Sequence, residues 1–374
     1  MPASETYIGL MTGTSVDSID VVVLDIGTDN LSLTLKGSLS YPIPQGLRKD
    51  IFDISHGNND DLHAVALLNN TLADHFATTI NQLLEKMSLD VNQIKAIGSH
   101  GQTIRHHPSG ASPYTIQLGN PHRLAELTDI TTVADFRQRD IAAGGQGAPL
   151  APAFHQKIFL QADETVIVLN LGGIANISII KPDGSISGLD TGPANTLMDG
   201  WISTNLDKHY DAEGTWAATG KLHDLLLDRL LSEPWLVKKP PKSTGPELFN
   251  LEWLNKKLHG LDIPAVDVQR TLCEFTAVTV SQAIQQYAGD ATKLILCGGG
   301  TKNTFLRNRL ATHLPDIKIQ TSSEYGIDPE WIEAAAFAWL AYLTMHNLPG
   351  NIPSVTGANH PVILGAIYPG HSKK

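Results

Sequence analysis

Asp190 is the residue around which the chemistry of this chain can be organised. It follows an expected strand, 185–189, and stands just before Pro193, between that strand's end and an expected helix start. Open α/β sheets place reactive groups in that position. A carboxylate with a pKa near about 4 is ionised at neutral pH and can accept a proton. Upstream, Gly172 and Gly173 join two apolar runs, 166–169 and 174–180. A glycine pair lets backbone N–H groups approach a phosphate closely. An ordinary hairpin with a turn-forming Asp fits the same stretch.

A second set of candidates lies near the N-terminus. Gly13, Thr14, Ser15, Val16, Asp17, Ser18, Ile19 and Asp20 follow the apolar run 7–11. Backbone N–H groups around Gly13 to Ser15 can bind phosphate oxygens, and Asp17 or Asp20 can hold the waters of a phosphate-bound Mg²⁺, which prefers oxygen ligands. A solvated turn is the plain alternative. Near the other end, Gly298, Gly299 and Gly300, with Asn303 after them, let something flat or charged lie against the backbone. Arg137 can clamp an anionic group bidentately, or it can form a salt bridge to Asp135 or Asp140. Ser99, His100, Gly101, Gln102 and Thr103 lie at an expected strand end, followed by Arg105, His106 and His107. The histidine spacing is not the i, i+4 pair of a helical metal site, and no cysteine or carboxylate accompanies it. Contacts to a sugar, or a hydrogen-bonded loop, fit better. Glu333 falls in the first turns of an apolar helix, where a favourable helix-dipole interaction accounts for it without a ligand.

The elements that must carry these residues repeat. Strands are expected at 7–11, 21–25 and 31–41, separated by turns, and the same order recurs at 166–169, 174–180 and 185–189. Two copies so far apart indicate a duplication at the domain scale. Between them the pattern gives a long amphipathic helix over 60–84, short strands at 96–99, 115–118 and 131–134, and a helix over 121–127. The glycine-rich stretch 134–150 lacks the third glycine of a dinucleotide fingerprint and is expected to be a flexible connection. Five residues separate Gly214 from Gly220 before Lys221, so the phosphate-loop spacing fails. A Pro-rich loop is expected over 238–250, a helix over 271–287, and a buried strand over 293–297. Asp328 caps a helix that Pro329 starts and that runs to 343, and a last strand spans 362–367.

Composition bounds the class. A chain of 374 residues suggests about two domains. Two cysteines, Cys273 and Cys297, exclude a disulfide framework and point to a reducing compartment. A formal net charge of -11 argues against nucleic acid as partner. No segment approaches the roughly 18 apolar residues of a membrane span. We therefore expect a cytoplasmic protein with a small-molecule partner.

Two strand-turn-strand openings followed by a late Gly-Gly-Gly turn resemble the actin/hexokinase ATPase superfamily. Read together, several runs resemble the anhydro-N-acetylmuramic acid kinase family: 13–20, 99–103, 134–149, 170–176, 190–195, 241–245, 297–303 and 333–338. The resemblance spans nearly the whole chain. Pro246 stands where the family more often has Arg, and Ser18 where it often has Gly. The resemblance implies an α/β fold of two duplicated ribonuclease-H-like (actin/hexokinase-type) domains around a central cleft. The first would span 1–162, joined by 352–374, and the second 163–351. It implies ATP as co-substrate, held by residues 13–20, Gly172, Gly173, Asn176, Gly298, Gly299, Gly300 and Asn303, with Mg²⁺ bound through ATP and waters. It implies an amino-sugar substrate held by Arg137 and Glu333, with Gln102 and Thr103 as weaker candidates, and Asp190 as the base. The implied reaction hydrolyses the 1,6-anhydro ring and phosphorylates O6, in peptidoglycan recycling, by a cytoplasmic homodimer. An ordinary sugar kinase without ring opening, an ATP-driven switch protein, and a metallopeptidase-like member with metal at His100, His106 or His107 are the competing readings.

Overall fold

The computed structural model describes residues 4–13, 15–28, 31–59, 61–240 and 242–371. The chain forms two compact units, Met1–Phe154 with Trp331–Lys374, and His155–Glu330. Thr14 and Pro241, both in stretches with candidate roles, lie outside the described residues, as do Asp29, Asn30 and Asp60.

In the first unit, β1 (Ser4–Thr12), β2 (Ser18–Gly27) and β3 (Leu33–Pro42) form an antiparallel meander. Then β4 (Ile94–Ser99) joins β1 in parallel; β5 (Gln102–His107) and β6 (Tyr114–Leu118) make a separate hairpin; and β7 (Thr132–Ala134) joins β4 in parallel. The run 99–107 is therefore a turn feeding a strand, where the sequence suggested a loop. Ile8, Leu10, Val21 and Val23 share one buried cluster with Leu72, Phe76, Ile80 and Leu83 of the helix Leu62–Met87. That helix begins one residue after its cap: the Asp61 carboxylate accepts from Ala64 N–H at 3.3 Å.

The glycine-rich stretch after β7 is anchored, contrary to the expected flexible connection. Residues Phe136–Ala142 form a helix, and the buried Asp140 carboxylate accepts from Gly147 N–H, Asn351 Nδ2 and Thr356 Oγ1, each at 2.7 Å. Three donors on one buried carboxylate leave the loop little freedom.

The second unit contains β8 (Val166–Leu171), β9 (Ile174–Ile180), β10 (Ile186–Pro193), β11 (Lys293–Cys297) and β12 (Lys318–Thr321), in the order β10-β9-β8-β11-β12. The helix Ala265–Tyr287, longer than the expected 271–287, buries Leu272, Phe275, Val280 and Ile284 in a core with Leu169, Ile177, Leu189 and Leu294. β10 runs through Asp190 to Pro193, so Pro193 ends a strand and does not open a helix; the next helix is Asn195–Leu206. The ladder carries a register shift between Asp190 and Gly192, and such bulges re-aim side chains.

The chain re-enters the first unit earlier than the expected 352. A 3-10 turn, Pro329–Trp331, leads into the helix Ile332–Met345, which packs on β1, β2 and β4. The reason is steric. A Cβ at Gly9 would lie 1.8 Å from Ala334 O, and one at Gly98 2.0 Å from Phe337 O, so the helix backbone rests directly on the sheet. Finally β13 (Ala366–Tyr368) pairs antiparallel with β7, completing the order β13-β7-β4-β1-β2-β3. From the meander inwards, both sheets read third, second, first, fourth and fifth strand, which is the duplicated ribonuclease-H-like α/β arrangement expected from sequence. Among the described residues no helix is long and apolar enough to cross a membrane.

Candidate active site

In the second unit, Asp190 lies in a row of polar residues across the sheet. Asn170 on β8 pairs with Asn176 on β9, which pairs with Asp190 on β10. Directly opposed residues point to the same face, so one face presents Asn170, Asn176 and Asp190. A distant loop closes over the carboxylate. Thr244 N–H donates to Asp190 Oδ2 at 2.9 Å, and Asp190 N–H donates to Lys242 O at 3.2 Å. Lys242 Nζ is itself turned to Leu236 O at 2.8 Å and lies 4.5 Å from the Trp235 ring centre. Burial pushes the Asp190 pKa up to about 6; the Thr244 N–H opposes the rise, Glu247 adds to it and Lys242 opposes it. The value near 4 assumed from sequence does not hold, because the desolvating loop is far away in the chain.

The glycines of this unit divide in two. A Cβ at Gly298 would lie 2.4 Å from Asn170 Oδ1, and one at Gly300 2.7 Å from Leu171 Cβ, so these two glycines serve internal packing. At Gly299 a Cβ would meet nothing within 4 Å, and at Gly172 nothing nearer than 3.6 Å. Those two leave open backbone beside the strand ends. The Gly172–Gly173 turn is fixed from behind, its carbonyls accepting from the N–H groups of Asn195 at 3.1 Å and of Ala194 at 2.9 Å. Asn303 caps the helix Thr304–His313 through Leu306 N–H at 2.9 Å, so its side-chain oxygen is already engaged.

In the first unit, the turn after β1 is closed by Val16 N–H to Gly13 O at 3.1 Å, with Val16 buried at φ 55°. Asp17 pairs with Arg48 Nη2 at 2.9 Å, and the same guanidinium donates to Ser15 O at 3.1 Å. Asp20 lies on β2, as do Ser18 and Ile19, and its Oδ1 accepts from Ser18 Oγ at 2.9 Å and Ser40 Oγ at 2.6 Å. Glu333 lies in the first turn of the helix Ile332–Met345; its side chain is open to water, yet many protein atoms surround the carboxyl. Burial pushes its pKa up, Arg137 opposes the rise and Asp20 adds to it. Arg137, Glu333 and Asp20 thus share one electrostatic neighbourhood.

Arg137 makes neither of the salt bridges considered from sequence as a hydrogen-bonded pair. Its Nε donates to His100 Nε2 at 3.0 Å and its Nη1 to Gly147 O at 2.8 Å. Burial lowers its pKa to about 10, against the pull of Glu333 and Asp140, so it stays charged at neutral pH. Gln102 is buried, its Nε2 donating to Thr103 O at 3.2 Å while its Oε1 has no protein partner; Thr103 Oγ1 accepts from Gln117 Nε2 at 3.2 Å. His106 Nδ1 lies 3.1 Å from Thr115 Oγ1. Among the described residues no group of three His, Cys, Asp or Glu side chains is arranged to hold a metal ion. Thr244 was not singled out from sequence, and only its place inside the run 241–245 pointed to it; His100 was considered only as a metal ligand and Asp140 only as a salt-bridge partner of Arg137, not in the hydrogen-bonding roles they take here.

A family model described as anhydro-N-acetylmuramic acid kinase matches residues 5–370. A protein of that name from Photobacterium profundum is 49% identical over 374 residues, covering 98% of this chain and 99% of the other. One from Vibrio vulnificus is 45% identical over 370 residues, with 99% and 100% covered. One from Coxiella burnetii is 46% identical over 366 residues, with 97% of each chain covered. Similarity of this extent, over both units and every run that carries a candidate residue, shows that the chain belongs to the anhydro-N-acetylmuramic acid kinase family.

Proposed function

We propose that this chain, a phosphotransferase with an alcohol group as acceptor, opens 1,6-anhydro-N-acetylmuramic acid with water and phosphorylates O6 from ATP, giving N-acetylmuramic acid 6-phosphate and ADP. The observation that carries the reading is the Asp190 carboxylate, held on one oxygen by Thr244 N–H at 2.9 Å and with its pKa raised to about 6. It is mostly ionised at neutral pH yet more basic than an ordinary carboxylate, which suits a general base.

Asp190 takes a proton from water as the water oxygen bonds to C1. The C1–O6 bond breaks, and O6 leaves with the electron pair. O6 then bonds to the γ-phosphorus, the bond from that phosphorus to the bridging oxygen breaks, and ADP departs. Asp190 returns its proton to solvent. Arg137 and Glu333 hold the sugar, with Gln102 and Thr103 as further contacts. Residues 13–20 and the open backbone at Gly172 and Gly299, beside Gly173 and Asn176, bind ATP; Gly298, Gly300 and Asn303 shape that surface from behind. A Mg²⁺ bound through ATP and waters fits Asp20, which has a second carboxylate, Glu333, in its field; Asp17 fits less well because Arg48 already pairs with it. When bound, the ion neutralises phosphate charge. The proposal extends to a role in peptidoglycan recycling and amino-sugar catabolism, in the cytoplasm. We extend the proposal to a homodimer, which light scattering on the purified protein would test.

The test is incubation with the anhydro sugar, ATP and H₂¹⁸O. Label at C1 of a 6-phosphorylated product is expected. A phosphorylated but unlabelled product would make this an ordinary sugar kinase.

A further inference from the structure

His100 takes no part in the reaction just described, yet its ring is fixed from several directions. It follows β4, its N–H donates to Leu10 O at 3.0 Å, and its ring is buried against Phe337 with centroids 4.7 Å apart. Nδ1 lies 2.6 Å from Gly101 O. A carbonyl only accepts, so Nδ1 carries the hydrogen. Nε2 is then the bare nitrogen, and it accepts from Arg137 Nε at 3.0 Å. Gly101 O is pinned in turn by Thr12 Oγ1 at 3.0 Å. On the other side, Gly147 O accepts from Arg137 Nη1, and Gly147 N–H is tied to Asp140.

Both hydrogen-bond acceptors that orient this guanidinium are neutral, a ring nitrogen and a carbonyl. They fix its rotation without cancelling its charge. A hydrogen-bonded carboxylate in the same place would orient it equally well and spend the charge. Phe337, under the His100 ring, lies one helical turn beyond Glu333, so the same ring also abuts the helix that carries the second sugar candidate.

We propose that His100 is a positioning residue of the sugar site, a neutral acceptor that fixes Arg137 and leaves its charge and remaining N–H groups for the substrate. This rests on the reading that Arg137 holds the sugar. Burial and the guanidinium both hold the His100 pKa well below its ordinary value, which keeps the ring neutral. The charged and titratable groups that share the field of Arg137 are Glu333, Asp140 and His106.

Four variants test it: His100→Leu, which has no acceptor; His100→Gln, whose amide oxygen can replace Nε2; Arg137→Ala; and His100→Leu with Arg137→Ala. Anhydro-sugar binding is measured by calorimetry without ATP, alongside KM for each substrate, kcat and melting temperature. His100→Leu is expected to weaken sugar binding by about tenfold or more, as loss of a hydrogen bond to a charged group does, with KM for ATP nearly unchanged. His100→Gln is expected to recover most of the loss. The double variant is expected to bind no more weakly than Arg137→Ala, since His100 acts through Arg137. Equal impairment by Leu and Gln, or additive losses in the double variant, would overturn the proposal. If Arg137→Ala alone leaves binding intact, the sugar-site reading fails and the proposal fails with it. If Arg137→Ala weakens binding and His100→Leu does not, only the role of His100 fails. Should His100→Leu not fold, His100→Asn, too short to reach Arg137, takes its place against Gln.

Discussion

Asp190 accepts a proton only while ionised, so its pKa of about 6 sets the acid limb of the rate. Turnover should fall about tenfold per pH unit below pH 6 and level off above it. A limb near pH 4 would mean that burial does not act on the carboxylate during turnover. Asp190→Asn keeps the shape and the acceptor for Thr244 N–H but cannot take a proton. It should cost about 10²–10⁴ in kcat, or roughly 3–5 kcal/mol of barrier. The stability effect has the opposite sign. A carboxyl whose folded pKa lies above its unfolded value binds its proton more tightly when folded, so stability falls as pH rises from about 4 to about 6 and stays lower above that. Removing the charge at pH 7 should leave the stability unchanged or raise it, by at most about 3 kcal/mol from a shift of roughly two pH units, and the melting temperature with it. A lowered melting temperature with near-normal turnover would make Asp190 a structural clamp for the 242–247 loop. The sequence disclosed the carboxylate and its sheet neighbours, because strand alternation and turn residues are local signals. It did not disclose the pKa, which depends first on burial and then on Thr244 and Glu247, more than fifty positions away.

Among the elements, the helix Ile332–Met345 is held where two glycines remove the side chains that would keep it off the sheet. Gly98→Ala puts a Cβ 2.0 Å from Phe337 O. Backbone cannot yield as a flexible side chain does, so the variant should lose at least about 2 kcal/mol of stability. Gly299→Ala is the contrast: its Cβ meets nothing within 4 Å, so stability should move by no more than about 0.5 kcal/mol. If Gly299 faces ATP as proposed, KM for ATP should rise several-fold with KM for the sugar unchanged. Equal melting temperatures for the two variants would refute the packing argument. Apolar period and turn chemistry made β1 to β3, β8, β9 and β11 legible. Three things were not legible. The continuation of β10 through Asp190 depends on its pairing with β9. The order imposed on 134–150 comes from Asn351 and Thr356. The allegiance of Ile332–Met345 to the first unit rests on the fit of Ala334 and Phe337 against Gly9 and Gly98, and no local pattern encodes a partner so far away in the chain.

At the scale of the whole molecule, the two units differ in how the chain builds them. The second is a single segment, His155–Glu330, and among the described residues the core cluster built on its sheet has its members within that segment. The first is assembled from two ends of the chain. Without Trp331–Lys374, the face of β1, β2 and β4 that receives Ile332–Met345 would be uncovered, including Gly9, Val22 and Gly98, and β7 would lose β13 and become a sheet edge. Open apolar faces and unpaired edges favour association over folding. We therefore expect residues 155–330, expressed alone, to unfold cooperatively on heating with helix and strand content retained. Residues 1–154 alone should bind a hydrophobic dye and show no cooperative transition. Fusing 331–374 to the front of 1–154 through a flexible linker should restore one. A cooperative melt of 1–154 alone would mean that the cluster of Leu72, Phe76 and Ile80 on Ile8 and Val21 suffices without the second cover. Failure of 155–330 to fold would mean that its core depends on the first unit. Recovery on fusion would place the missing free energy in contacts within the first unit, since the linker supplies none of its own.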